Sequence, residues 1–419
     1  MTALTRRNLL KAGAAAVPAI ALSAGPAHAT TAGPLATGTV PASLAGFDKV
    51  VQTFMTEREI SCGQLAMTKH GKLVMARGYG TYAPPTKAYI LARVTPTSLF
   101  RIASLSKSIT SAAIMRLVQD GKLSLGAPVT TLLGLSATAD PRMDQVTVLR
   151  LMQHLGGWNR DTSKDPLWID HTIAAALDVP LPIGHDDIIA YRNARPLDHD
   201  PGTRMYYSNY GYMLLGRIIA KVSGRSYEDY VKQAILAPVG ITRMRLGRSL
   251  RSEMSASEVS YTSKYTNKSV VDGSGQVVPF PYGGFNMPNQ DANGGWIASA
   301  VDMVRYARIF DAAGPVLNAN SLATIMARPE IGESGDGWWY GCGWYARQVP
   351  GNLNTWHSGG MPGTHTYLAR LQNGWTYSFL FNRREEEGSL DFDTLDDQMN
   401  RTPVNGSWPT TDLFPQYGF

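Results

Sequence analysis

The sequence predicts an α+β fold in which both ends of the chain build one antiparallel sheet and a mostly helical lobe is inserted between them. Strand-like runs occur near the start of the chain, at 65–68 and 73–76, and helical patterns and turns dominate about 125–295. Further strand-like runs follow near the end, at 339–347, 366–371 and 375–381. Strands at both ends of one chain are most simply joined in a single sheet with helices on its faces.

The first 29 residues have the features of an export signal. Paired arginines at Arg6 and Arg7 precede a short apolar run, and Ala27-His28-Ala29 is a small-x-small cleavage pattern. Paired arginines mark the bacterial twin-arginine route, and no cysteine stands at the cleavage site to accept a lipid. An ordinary secretory signal that contains Arg-Arg is the alternative. We expect a periplasmic or secreted mature protein that begins with a flexible leader at 30–45.

The composition argues against nucleic-acid and membrane partners. The formal net charge is +6, and removal of Arg6, Arg7 and Lys11 with the signal leaves +3, which is too small an excess for a nucleic-acid-binding surface. No later run is long and apolar enough to span a bilayer. A small-molecule or peptide substrate is therefore the expected partner, and the sequence leaves the oligomeric state open.

Each predicted element depends on a local pattern. A tight turn at His70-Gly71 joins the first two strand runs into a hairpin. Apolar residues recur at helical spacing from Ser104 to Gln119, and Tyr210 to Val222 is the clearest helix of the lobe. A capping-box-like pattern at Ser299 opens another helix before the C-terminal strands. Ser104 is thus predicted to lie at a helix start.

Ser104-Leu105-Ser106-Lys107 is an S-x-x-K motif at that helix start. Positions i and i+3 share one helix face, so the Lys107 amine can reach the Ser104 hydroxyl. A serine hydroxyl is a weak nucleophile at neutral pH and needs a partner that takes its proton. Because four-residue patterns of this kind also arise by chance, the motif gains its meaning only from others.

Tyr207-Ser208-Asn209 is a Y-x-N triplet directly before the helix at 210. A phenol whose pKa is lowered by a neighbouring ammonium can shuttle a proton from a serine to a leaving group. The Asn209 amide can orient a substrate carbonyl. The alternative for Tyr207 is an aromatic packing residue of the lobe.

A third motif, His357-Ser358-Gly359-Gly360, enters the C-terminal strands, where glycine lets a substrate approach the strand edge. The order S-x-x-K, Y-x-N, H-x-G resembles the serine β-lactamase and DD-peptidase superfamily, which includes the class C β-lactamases, the DD-peptidases, the family VIII esterases and the D-aminopeptidases. The flanking sequence over about 46–384 is similar as well. The resemblance implies a β-lactamase/transpeptidase-like catalytic domain at 46–400, followed by a tail at 401–419.

Residue by residue, the resemblance implies a complete hydrolytic site. Ser104 would be the nucleophile, with Lys107 and Tyr207 as the acid/base pair. The other residues would bind the substrate or its oxyanion: Asn209, His357, Ser358, Gly359 and Gly360. Among them, the backbone N–H groups of Ser104 and Gly360 would form the oxyanion hole. No metal or cofactor is required.

One departure from the family pattern bears on the substrate. His357 stands where the class C β-lactamases have lysine, and a histidine with its usual pKa of about 6.5 is mostly neutral at pH 7. This favours an ester or a D-amino-acid-containing amide over a β-lactam. The expected protein is an exported serine hydrolase of the esterase, DD-peptidase or D-aminopeptidase type. A β-lactamase and a penicillin-binding or sensor domain with little turnover are the alternatives.

The remaining histidines and cysteines favour structural roles. The clusters His185-Asp186-Asp187 and Asp198-His199-Asp200 lack metal-site spacing and are predicted to be solvated loop. His154 is predicted to be a hydrogen-bonded loop anchor, and His365 an exposed strand residue. For Cys62 and Cys342, one disulfide and two free buried thiols are both compatible with the sequence.

Overall fold

The computed structural model describes residues 35–80 and 93–419. The predicted signal peptide at 1–29 lies outside the described residues, as does the start of the leader. The strands, in chain order, are β1 (Leu35–Thr39), β2 (Cys62–Lys69), β3 (Lys72–Gly80), β4 (Phe100–Arg101), β5 (Arg245–Leu246), β6 (Thr266–Lys268), β7 (Val277–Pro279), β8 (Trp296–Ala298), β9 (Trp338–Tyr340), β10 (Tyr345–Val349), β11 (Asn352–Met361), β12 (Thr364–Arg370) and β13 (Trp375–Phe381).

Most helices lie between β4 and β9. They are, in chain order, α1 (Ala45–Glu57), α2 (Ser106–Gln119), α3 (Val129–Leu133), α4 (Val148–Met152), α5 (Arg160–Ser163), α6 (Asp170–Leu177), α7 (His185–Asn193), α8 (Asn209–Ser223), α9 (Tyr227–Val231), α10 (Asp291–Gly294), α11 (Ala300–Ala307), α12 (Ala319–Met326) and α13 (Thr394–Arg401). Among the described residues, none of these helices has the length and apolar character needed to cross a membrane.

The main sheet is antiparallel and has the strand order β1-β3-β2-β13-β12-β11-β10-β9. Its centre joins the two ends of the chain, because β2 pairs with β13 in the register Leu65 to Phe379. This arrangement confirms the predicted α+β fold and its sheet built from both chain ends. The predicted hairpin is also present, and its turn residues His70 and Gly71 have the positive φ angles of a tight turn.

Alternation along the strands divides the core into two apolar layers. Leu65 and Met67 belong to the same apolar cluster as Phe54 of α1, whereas Ala66 belongs to the cluster on the opposite side of the sheet. On that opposite side, α11 packs against β2 and β13. The helix α2 is buried along almost its whole length and contacts α8 and α10, and the segment at its start contacts β11 and β12. The start of α2 is therefore held between the sheet and the helical lobe.

Three predictions differ from the structure. Residues 35–39, assigned to the flexible leader, form β1 on β3, where Gly38 lies so close to Ala76 that a Cβ would be 2.2 Å from its carbonyl oxygen. The run at 339–347 is two strands, because Gly343 turns with a φ of +77° against the backbone of α2. His365 is buried rather than exposed, stacked on Phe379.

The tail packs back onto the sheet. Leu413 N–H donates to the Leu73 carbonyl at 2.8 Å, and Leu73 N–H donates to Asp412 Oδ1 at 3.0 Å. These bonds cover the part of β3 that β1 does not reach. Trp408 lies against Trp375 at a centroid distance of 5.8 Å. The tail thus protects an edge strand that would otherwise expose backbone groups.

Candidate active site

Ser104 is partly exposed and lies in a short 3₁₀ segment that leads into α2. The preceding Arg101 is fully buried, donates to the Pro281 carbonyl at 2.8 Å and pairs with Glu258 at 3.8 Å. Between Arg101 and Ser104, Ala103 has a φ of +47°, a left-handed conformation that costs energy for a residue with a Cβ. The chain therefore enters the turn from a fixed point, and the strained residue Ala103 lies directly before Ser104.

The third motif lies directly beside this turn. A Cβ on Gly359 would be 2.6 Å from the Ile102 carbonyl oxygen, so only glycine allows β11 to approach so closely. Thr366 of β12 adds a hydrogen bond of 2.9 Å to the same carbonyl. Gly360, by contrast, faces open space. Gly360 directly follows Gly359, so it is one residue away from the contact between β11 and the turn before Ser104.

Lys107 is fully buried, and its amine contacts three oxygen atoms. Nζ lies 3.2 Å from Ser104 Oγ, 2.7 Å from Asn209 Oδ1 and 2.7 Å from the Asn293 carbonyl oxygen. Burial lowers the pKa of Lys107 well below its usual 10.5, although the negative charge of Asp165 opposes that shift. The S-x-x-K spacing thus brings amine and hydroxyl together, as predicted from the helix geometry.

The Ser104 side chain is near enough to the Tyr207 phenol to oppose the upward shift of its pKa, and Lys107 Nζ lies 4.6 Å from the Tyr207 ring centroid. Burial raises the pKa of Tyr207 well above its usual 10. The predicted lowering of this pKa by a neighbouring ammonium is therefore wrong, because desolvation of the phenolate outweighs the nearby positive charge. At neutral pH the Tyr207 hydroxyl is protonated and can give a proton away.

His357 is buried behind the site rather than open to the cleft. Nε2 lies 3.0 Å from the Tyr340 hydroxyl and Nδ1 lies 2.6 Å from the Ser358 carbonyl oxygen. Burial, followed by the charge of Lys107, lowers the pKa of His357 to about 3. A neutral, enclosed imidazole does not provide the charge that would hold a substrate carboxylate, and its ring centroid is 6.3 Å from that of Tyr207.

His154 has the anchoring role that the sequence predicts. Its Nδ1 accepts the Ser208 N–H at 3.1 Å, and its carbonyl accepts the Tyr206 N–H. Its ring lies 4.3 Å from the Tyr207 ring and 4.4 Å from the Tyr340 ring, measured between centroids. His154 therefore fixes both the backbone and the ring of the Y-x-N triplet.

Asp165 is a neighbour of the site that sequence reasoning missed. Asn209 Nδ2 donates to Asp165 Oδ2 at 2.6 Å, on the side of the amide opposite Lys107. Burial raises the pKa of Asp165, and its hydrogen bond with Asn209 opposes this shift. The Asp165-Pro166 sequence signals a helix cap, which the structure contains, but nothing in it reveals the contact with Asn209.

An aromatic cluster adjoins the nucleophile. Trp168 and Phe280, both only partly buried, pack with Phe285. The same cluster includes Ala103, next to Ser104, and Met361, next to Gly360. Two segments of the lobe, around 168 and 280, therefore place an apolar surface beside the nucleophile.

The other polar clusters are occupied by structural contacts. The prediction of solvated loop for His185-Asp186-Asp187 is wrong, because these residues form the first turn of α7, where His185 lies 3.5 Å from Asp291. In the second cluster, the Asp198 carboxylate accepts the Asn159 N–H at 2.7 Å. Within 35–80 and 93–419, no three metal-binding side chains form a metal site. Cys62 and Cys342 are both buried and unbridged, and burial raises the pKa of each thiol, to about 11 and about 12.

The family model described as Beta-lactamase matches residues 47–398, which includes every residue of this site. The chain belongs to the Beta-lactamase family. Among solved structures, a penicillin-binding protein homologue from Pyrococcus abyssi, described as octameric, is 27% identical with a TM-score of 0.62, covering 81% of this chain and 73% of that chain. The D-amino acid amidase of Ochrobactrum anthropi has the same fold, with 21% identity, a TM-score of 0.65 and coverage of 86% and 97%.

Curated relatives match over shorter regions. A probable fimbrial assembly protein FimD of Dichelobacter nodosus is 36% identical over 137 residues, which is 32% of each chain. Protein flp of Staphylococcus aureus is 28% identical over 206 residues, covering 46% of this chain and 36% of that protein. The chain thus spans about a third of the length of these relatives.

Proposed function

We propose that this member of the Beta-lactamase family is an exported serine hydrolase in which Ser104 forms an acyl-enzyme with an ester or a D-amino-acid-containing amide. The main support is the arrangement around Lys107. Its amine lies 3.2 Å from Ser104 Oγ, and two carbonyl oxygens take up its other hydrogen-bonding directions. A neutral amine held in this way donates two N–H groups to the carbonyls and directs its lone pair at the serine hydroxyl.

The proton path follows from the lowered pKa of Lys107 and the raised pKa of Tyr207. Lys107, whose neutral form is favoured by burial, takes the proton from Ser104 as the Oγ–carbon bond forms. Negative charge on the carbonyl oxygen would face the backbone N–H groups of Ser104 and Gly360. Tyr207, which burial keeps protonated, gives its proton to the leaving group and regains one from the Lys107 ammonium. Water reverses this path, releases the acid and restores the serine hydroxyl.

The walls of the cleft support an apolar acyl group and disfavour a β-lactam. Trp168 and Phe280, which are only partly buried, offer an aromatic surface next to the nucleophile. His357 is neutral and enclosed, so the third motif contributes no fixed positive charge for a β-lactam carboxylate. The likeness in fold to a D-amino acid amidase is compatible with amide hydrolysis. Export is proposed from the Arg6-Arg7 signal alone.

Three substrates and two variants test this proposal. The mature protein is mixed with p-nitrophenyl butyrate, a chromogenic cephalosporin and a D-Ala-D-Ala peptide, and mass spectrometry locates the acyl group. We expect steady hydrolysis of the ester or the peptide, an adduct on Ser104, and loss of both in Ser104→Ala. Ser106→Ala is the matched control, because Ser106 is buried on the same turn and its hydroxyl accepts the Trp296 N–H. Stoichiometric labelling without turnover would instead identify a penicillin-binding or sensor domain.

A further inference from the structure

Lys107 is held from two sides by one closed ring of hydrogen bonds. On one side, Lys107 donates to Asn209 Oδ1, and Asn209 Nδ2 donates to Asp165 Oδ2 at 2.6 Å. On the other side, Lys107 donates to the Asn293 carbonyl, and Asn293 Nδ2 donates to Gln290 Oε1 at 2.6 Å.

The two sides meet at the backbone of Leu167. Gln290 Nε2 donates to the Leu167 carbonyl at 2.9 Å, and the Leu167 N–H donates to Asp165 Oδ1 at 3.1 Å. Gln290 is fully buried. Lys107 donates on both sides of the ring, and the Asp165 side chain accepts on both sides. The other four residues each accept at one end and donate at the other, so both sides run from Lys107 to Asp165.

We propose that Asp165 and Gln290 are positioning residues that close this ring and thereby aim the Lys107 amine at Ser104. This inference rests on the proposed function of the same site. Both Asp165 oxygens accept hydrogen bonds, one from Asn209 Nδ2 and one from the Leu167 N–H. Asp165 therefore holds the Asn209 amide with its NH₂ group toward Asp165 and its oxygen toward Lys107. Gln290 fixes the Asn293 side chain, and with it the short helix α10 whose carbonyl Lys107 contacts.

Asp165 also has an electrostatic effect that Gln290 lacks. The charged groups acting on Lys107 are the carboxylate of Asp165, which stabilises the ammonium, and the guanidinium of Arg160, which opposes it. The other titratable groups facing Lys107 are neutral at pH 7: Tyr207, Tyr212, His154 and His357. The two positioning residues are therefore distinguishable by pH dependence.

The test measures how fast a fluorophosphonate probe labels Ser104 as a function of pH, which requires no natural substrate. Asp165→Asn keeps the shape of the side chain but has one acceptor for two donors. We expect labelling about 10- to 100-fold slower, by analogy with the loss of outer-shell partners. The acid limb of the profile should move to lower pH, because the Lys107 ammonium loses its anionic neighbour. Gln290→Met should slow labelling similarly and leave the acid limb in place.

Asp140→Asn is the matched control. Asp140 caps another 3₁₀ segment that begins with proline, and its side chain contacts Arg142 and Leu197 rather than the site. Its labelling rate and profile should equal those of the unmodified protein, and melting temperatures verify that all variants fold. Wild-type rates and an unmoved acid limb in folded Asp165→Asn would overturn the ring. Fast labelling of the unmodified protein without turnover of any substrate would reject the proposed hydrolase and leave the ring testable.

Discussion

Replacing Gly359 with alanine would separate the neighbouring strands from the nucleophile turn. The new Cβ would be 2.6 Å from the Ile102 carbonyl oxygen and 2.3 Å from Thr366 Oγ1, the two atoms whose hydrogen bond joins the sheet to this turn. Because one of them is backbone, the clash is relieved only by moving β11 or the turn before Ser104. Overpacking of this kind costs about 1–3 kcal/mol, and a displacement of about 1 Å near a reacting atom can slow catalysis about 100-fold.

The assay compares Gly359→Ala with Gly360→Ala. No atom lies within 4 Å of a Cβ on Gly360, and its backbone N–H would remain. We expect calorimetry to show a lower melting temperature for Gly359→Ala and an unchanged one for Gly360→Ala. The kcat/KM for ester hydrolysis should be lower in Gly359→Ala than in the unmodified protein. A Gly359→Ala protein with the melting temperature and activity of the original chain would refute the docking of β11 on the turn.

Two further predictions concern buried titratable groups. Burial lowers the pKa of His365 from 6.5 to about 4, so the unfolded chain binds its proton first and stability is lost as pH falls from about 6.5 toward 4. The melting temperature should therefore decline less steeply over this range in His365→Phe, which keeps the stack on Phe379; an equal slope would contradict the assignment. Cys62 and Cys342 should react with Ellman's reagent only after denaturation, yielding two thiols per chain, and a reductant should leave the melting temperature unchanged; release of fewer thiols would indicate a bridge.

Much of the fold follows from patterns that are local in sequence. The β2-β3 hairpin needs only His70-Gly71 and its flanking apolar runs, and α8 ends at Gly224, where the left-handed φ of +67° stops the helix. β1 was missed because its pairing depends on contacts with β3 rather than on its own small residues. Such a strand carries little signal of its own.

The candidate site also has contacts that the sequence predicts and contacts that it does not. Ser104 and Lys107 share one helix face, so their contact is readable from spacing. The ring through Asp165 and Gln290 is not readable, because it joins four segments through single side-chain contacts. The direction of the Tyr207 pKa shift was also beyond the sequence, since it depends on how completely the lobe buries the phenol.

The pairing of β2 with β13 has a consequence for how the chain is made. The Cys62 N–H finds its partner in Asn382, 320 residues further along, so the ribosome must finish nearly all of the described chain before this edge of the hairpin is covered. Until then, the hairpin exposes unpaired backbone groups on which other chains can assemble. The interval between the synthesis of β2 and that of β13 is therefore the stage at which this edge of the sheet is open to pairing with another chain.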